Sequence, residues 1–187
     1  DGDLEKVEIF VQKNPGLINE EGGVKVDDGT ICESFPLLTA SGKGNQEIVT
    51  YLLKNNANIN QQRSLHGETP LFFAAMHAQK ELVEKLLKAG ADKDLKNNKG
   101  ITALMFAAEK GQVEIVEKLL KAEANKDIQN KQGSTALMLA AEYRHVKIVE
   151  LLLKAGANKY LQTNNGNTAL MCAAQNGHEK TVELLLK

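Results

Sequence analysis

The sequence predicts an all-α solenoid of stacked helix-turn-helix units joined by hairpin-like loops, on the strength of three recurrences. Gly67, Gly100, Gly133 and Gly166 stand 33 residues apart, each followed two residues on by threonine (Thr69, Thr102, Thr135, Thr168). An alanine pair comes next, at Ala74-Ala75, Ala107-Ala108, Ala140-Ala141 and Ala173-Ala174. A leucine doublet closes each unit, at Leu86-Leu87, Leu119-Leu120, Leu152-Leu153 and Leu185-Leu186. Self-similarity at such a period marks one supersecondary unit stacked along a line.

Taken in order, Asp1 to Asn14 read as a helix from the spacing of Leu4, Val7, Phe10 and Val11. Asn14-Pro15-Gly16 stops it. This helix is taken as a partial N-terminal unit over residues 1–14, followed by an insertion over 15–33. The insertion is rich in glycine and acid (Glu20, Glu21, Gly22, Gly23, Asp27, Asp28, Gly29) and makes this connection 9 residues longer than its counterparts. It reads as a surface loop, because added loop length costs little closure entropy, rather than as an acidic finger touching a partner. Repeats are expected at 34–63, 64–96, 97–129, 130–162 and 163–187 of a single array. In each, threonine caps a short first helix, such as Thr102 to Lys110, and Pro70 suits a first helical position. Gly111 and Gly177 turn the chain into a second helix, such as Val113 to Lys121, whose apolar stripe is Ile115, Val116, Leu119 and Leu120. One such unit has too small a core to fold alone, so neighbours must supply the rest.

The pattern G-x-T-[PA]-L-x-x-A-A followed by L-L-K-A-G-A-[DN] resembles the ankyrin repeat. It holds in four consecutive units and more loosely in a fifth, where Phe35-Pro36-Leu37, Ala40-Ser41, Ile48-Val49 and Leu52-Leu53 take the same places. Gly2 to Phe10 is similar to the second helix of a preceding unit. The chain departs from the family's T-P-L-H, placing Phe72, Met105, Met138 and Met171 where the family's histidine ties the motif threonine. Apolar packing is expected to replace that tie, with the methionines filling core gaps.

Composition narrows the function classes. The net charge of −1 over 187 residues shows no polyelectrolyte character, no apolar run is long enough to span a bilayer, and the start is no signal peptide. The two cysteines, Cys32 and Cys172, lie at opposite ends of the array, are expected to stay unpaired, and suggest a reducing, cytoplasmic setting. With no initiator methionine and an opening partway through a unit, the chain reads as part of a longer protein.

No catalytic, cofactor or metal site is expected. No nucleophile–base pair or phosphate-loop pattern occurs, and the threonines are committed as caps. His145 and His178 hold equivalent places in adjacent units, too far apart to share a metal. The resemblance implies that they support the turn between the helices. Lys88, Lys121, Lys154 and Lys187 form a row, but Glu84, Glu117, Glu150 and Glu183 precede them by four residues, so helix-stabilising pairs explain it.

The resemblance further implies partner docking on a concave side made by hairpin tips and first helices. Carried over by position, the contact candidates are Arg63, Leu65, His66, Met76, His77, Lys96, Lys99, Ile101, Glu109, Lys110, Lys131, Gln132, Glu142, Tyr143, Asn164, Asn165 and Asn176. These positions differ from unit to unit while the framework does not. Tyr143, with Ile101 and Met76, is expected to anchor the partner. The expected function is a non-enzymatic, monomeric protein–protein interaction scaffold. A second reading is an array that positions the substrate of a larger enzyme or of a secreted effector acting in host cytosol. Nucleic acid or a phosphorylated ligand fits less well, because the face balances five basic residues against three acidic ones and offers little besides Tyr143 for stacking.

Overall fold

A computed structural model describes residues 2–13, 15–20, 24–25, 31–32 and 35–187. The chain divides into two compact units, 1–91 and 92–187, each built from helix pairs.

In the first unit α1 spans Gly2–Lys13 and a 3-10 turn spans Pro15–Asn19. Val11 of the predicted stripe is buried; the side chains of Leu4, Val7 and Phe10, and residues Asp1, Asn14 and Ser34, lie outside the described residues. The insertion is more structured than a plain loop. Strand β1 (Val24–Lys25) pairs antiparallel with β2 (Ile31–Cys32), with Val24 opposite Cys32. Glu21, Gly22, Gly23, Asp27, Asp28, Gly29 and the side chain of Cys32 fall outside the described residues. The Asn19 amide anchors the preceding turn, accepting the Asn58 N–H at 2.6 Å and donating to the Asn56 carbonyl at 3.1 Å. Then come α2 (Pro36–Lys43) with α3 (Gln46–Lys54), and α4 (Pro70–Met76) with α5 (Lys80–Lys88). Within this unit the first helices α2 and α4 pack on each other, and each packs on its own second helix.

The second unit repeats the plan with α6 (Ala103–Glu109) and α7 (Val113–Lys121), α8 (Ala136–Glu142) and α9 (Val146–Lys154), then α10 (Ala169–Gln175) and α11 (Glu179–Leu186). First helices stack in file, α6 on α8 on α10, and second helices do the same, α7 on α9 on α11. The alanine pairs permit that approach: Ala107, Ala108, Ala140, Ala141 and Ala173 have no exposed surface. The leucine doublet divides its labour. Leu119 and Leu152 are fully buried, whereas Leu120 and Leu153 are half-exposed and only border the predicted stripe.

The threonine caps form as expected. Thr69, Thr102, Thr135 and Thr168 accept the backbone N–H three residues on, at 3.1–3.3 Å. Phe72, Met105 and Met138 are core residues, and the Met138 thioether also accepts the Thr135 N–H at 3.5 Å, a weak sulfur substitute for the missing histidine tie. Met171 departs from the expected core role. It is 47% exposed, because in the last pair described no further first helix covers it.

Among the described residues, Ser41 and Thr181 each bury an unpartnered hydroxyl in the core. Thr181 stands where α7 and α9 have Ile115 and Ile148, and its hydroxyl is fully buried without a hydrogen-bond partner. A buried unsatisfied hydroxyl costs about 1–3 kcal/mol. Thr181→Val is therefore expected to stabilise the protein by about 1 kcal/mol, read as a higher urea midpoint at unchanged slope.

Candidate functional site

Backbone hydrogen bonding builds the tips. In the second unit Asn97, Asn130 and Thr163 donate their N–H to the carbonyls of Ile101, Ser134 and Asn167 at 2.9–3.0 Å, closing three tight loops. The side chains at those places finish the turns. Asn97 Oδ1 accepts from the Lys99 and Ile101 N–H groups at 2.9 Å, Asn130 Oδ1 from Gln132 and Ser134 at 3.0 and 2.9 Å, and Thr163 Oγ1 from Asn167 at 3.1 Å.

Adjacent tips are then knitted together. Lys131 donates its N–H to the Lys99 carbonyl at 3.2 Å, and Asn164 donates its N–H to Gln132 and its side-chain amide to Lys131, both at 2.9 Å. Gln129 Nε2 donates to the carbonyls of Gln162 and Gly133, at 2.8 and 2.6 Å. Below the tips, Asp94 and Asp127 carboxylates accept the Asn125 and Asn158 N–H groups at 2.8 Å, again one pair onward. The candidates Lys99, Lys131, Gln132 and Asn164 thereby occupy one continuous row of exposed side chains, with Lys96 and Asn165 exposed in the same tips.

The ends of the first helices make the second part of the face. Glu109 and Lys110 pair at 2.6 Å, and the Lys110 ammonium lies 5.7 Å from the centre of the Phe106 ring. Glu109 raises the Lys110 pKa, through the hydrogen bond first and the charge second, and the nearby Tyr143 phenol adds a smaller contribution. Lys110 and Glu109 largely satisfy each other, while Tyr143 is 51% exposed and Glu142 is exposed beside it. Ile101 is half-buried against its tip, and Asn176 caps α10 with its amide donating to the Cys172 carbonyl at 2.8 Å.

In the first unit Arg63 is half-buried at the base of a tip in which Leu65 (66% exposed) and His66 project. Met76 is half-buried at the end of α4, and His77 is exposed with its ring stacked on Phe73 at 6.3 Å. Met76 thus belongs to the first unit, while Tyr143 and Ile101 belong to the second.

The histidines at the inter-helix turns reach back to the preceding helix pair. The Glu109 carbonyl can only accept, so His145 Nε2–H donates to it, at 2.9 Å; His178 Nδ1 donates likewise to the Ala141 carbonyl at 2.8 Å. Each imidazole satisfies an orphan carbonyl at a helix C-terminus and ties two pairs together. Among the lysine row, Lys88 pairs with Glu84 at 2.6 Å as expected, but Glu150 meets Lys147 at 3.5 Å, from the turn before it.

Reading residues one repeat at a time missed the connecting side chains Asp94, Asp127, Asn97 and Asn130, although each pair recurs at 33 residues. It also missed Tyr160, 76% exposed with the Lys159 ammonium 5.6 Å from its ring centre. Cys172 is a free thiol with 8% exposure, and burial pushes its pKa up. A thiol held protonated reacts slowly. In a Cys32→Ser background, modification of Cys172 by a disulfide reagent at neutral pH is expected to be at least about tenfold slower in the native state than in urea. Because the folded pKa is the higher one, stability from this group is present below the ordinary thiol pKa and falls as pH rises past it.

Among the described residues, no helix is long and apolar enough to cross a membrane, and no group of three or more His, Cys, Asp or Glu side chains is placed to hold a metal. The architecture is that of a helical repeat protein with short helices and hairpin loops. The family profile for ankyrin repeats (3 copies) matches residues 1–97, 75–163 and 104–187, and the chain belongs to the ankyrin-repeat family. It is 35% identical over 99 residues to the ankyrin repeat and SAM domain-containing protein 6 of Rattus norvegicus, and 36% identical over 99 residues to that of Mus musculus. Each match covers 53% of this chain and 10% of the relative. A putative ankyrin repeat protein of Rickettsia bellii is 34% identical over 102 residues, 51% of this chain and 60% of the relative. Ankyrin repeats generally mediate protein–protein interaction and are typically non-enzymatic.

Proposed function

We propose that the chain is a protein-binding array whose contact surface is the face of hairpin tips and first-helix ends, the concave side of the ankyrin family. The supporting observation is a division between residues. The apolar positions that repeat unchanged, such as the alanine pairs and the first leucine of each doublet, are buried over most of the chain, and the unchanged exposed lysine row is explained by helix pairing. Many positions that change from repeat to repeat, among them Leu65, Lys99, Lys131, Tyr143 and Asn164, are exposed, and Arg63, Met76 and Ile101 are half-exposed. Packing makes no demand on them. Tyr143 and Ile101 supply the apolar contacts of the second unit and Met76 that of the first, and the amide and lysine tips form a polar rim.

The array acts as a monomer in a reducing, cytoplasmic compartment, as part of a larger protein whose other segments carry out any chemistry. The rat and mouse relatives, whose name joins ankyrin repeats to a SAM domain, support that modular reading. Affinity capture with the intact chain, followed by titration of the captured protein, tests the face. Tyr143→Ala is expected to weaken binding by at least about fivefold while leaving the melting temperature unchanged. Unchanged affinity would remove Tyr143 from the site.

A further inference from the structure

Resting on that reading of the face, we infer that the occupant of the second unit's tip row is an extended, acidic protein segment that also carries an apolar anchor. The tips are held in register by the Lys131 N–H to Lys99 carbonyl bond and by the two bonds from Asn164, so the order Lys99, Lys131, Asn164 is fixed along the row. Both lysines are exposed and neither has an ion pair among the described residues. No acidic residue lies between Asn97 and Ile101, between Asn130 and Ser134, or between Thr163 and Asn167. Asp94 and Asp127 sit half-buried below, each engaged with a backbone N–H of the next pair, which leaves the lysine ammoniums as the outermost charges.

Spacing selects an extended chain. Successive repeats lie about 10 Å apart, and an extended peptide advances about 3.3 Å per residue, so carboxylates roughly three residues apart meet successive tips. Beyond the lysines the row turns to amides at Asn164 and Asn165, which donate to peptide carbonyls or further carboxylates. Tyr143, at the C-terminal end of α8, about 10 Å along that helix from its tip, offers the apolar contact. A nucleic acid suits the row less well, because the tip lysines Lys96, Lys99 and Lys131 supply few phosphate contacts and the tips themselves hold no aromatic side chain for stacking.

Selection of a random dodecapeptide display library on the intact chain tests this, with dissociation constants then measured by fluorescence anisotropy. Enriched peptides are expected to carry more Asp and Glu than Lys and Arg, together with an aromatic or aliphatic residue. The double variant Lys99→Glu with Lys131→Glu should weaken them at least about tenfold, and the Arg pair at the same positions should restore binding. Raising salt from ~50 to ~500 mM should weaken them as well. Circular dichroism of each variant checks that these exposed substitutions leave the fold intact. Enriched peptides that are neutral or basic, or acidic ones indifferent to the lysine reversal, would overturn the inference. Binding that depends on Tyr143 but not on the lysines defeats this inference alone. Binding that depends on neither defeats the face. Displacement of the selected peptides by a single-stranded oligodeoxynucleotide would assign the row to nucleic acid instead.

Discussion

Gly133→Ala is expected to destabilise the protein by about 2–3 kcal/mol, measured as the loss of unfolding free energy in urea. Two effects combine. Gly133 has φ +79°, a left-handed conformation that costs a side-chain-bearing residue about 1–2 kcal/mol. A Cβ there would also stand 2.7 Å from the Asn164 backbone nitrogen and 2.9 Å from the Thr163 Cα, and backbone cannot swing aside as a side chain does. Relief requires the next tip to move, which strains the Asn164 to Gln132 bond that registers the row. Gly166→Ala separates the two effects. Its φ is +81°, but nothing lies within 4 Å of an added Cβ, so it should cost only the conformational part. Equal losses at both positions would show that tip-to-tip packing contributes nothing.

The second large effect is in the core. Leu119 of α7 is fully buried, and α7 packs on α6 within its pair and on α9 in the next. Leu119→Ala removes apolar contact and leaves a cavity, and about 2–5 kcal/mol of unfolding free energy should be lost. Leu120→Ala, one residue on at a half-exposed position, should cost clearly less. A comparable cost at both would contradict the assignment of the doublet's first member to the interface. Loss of Leu119 should also reach beyond its own pair, since in a stacked array the interface term is shared with the neighbour.

The framework was readable because it repeats. Thr102, Ala107-Ala108 and Leu119 recur in register, and the requirement that each unit bury the same stripe forces the same residues into the same places. The helix bounds of α7, Val113–Lys121, coincide with those read from spacing. The side chains that join one pair to the next were not readable in that way. Asp94 and Gln129 look like ordinary polar surface residues within a single repeat, and only three-dimensional stacking brings an N–H or a carbonyl of another pair to them. Met171 shows the converse error: its sequence environment matches that of Met105 and Met138, but burial there is supplied by a neighbour and not by the motif itself. The short β1–β2 ladder in the insertion lacks any alternating pattern long enough to signal a strand, so the sequence there reads as loop. For the candidate face, variation between repeats indicated which positions packing leaves free. The pairing of Lys110 with Glu109, which removes that lysine from the available positive charge, emerges only from their 2.6 Å contact.

The central physical claim is that a helix pair holds its shape only through its neighbours, leaving the changing face free to recognise a partner. Circular dichroism of a peptide comprising residues 130–162, compared with the whole chain, tests this most directly. The whole chain should show a helical spectrum with a cooperative thermal transition, and the isolated repeat should give a disordered spectrum and no transition. A cooperative melt in the isolated peptide would contradict the account.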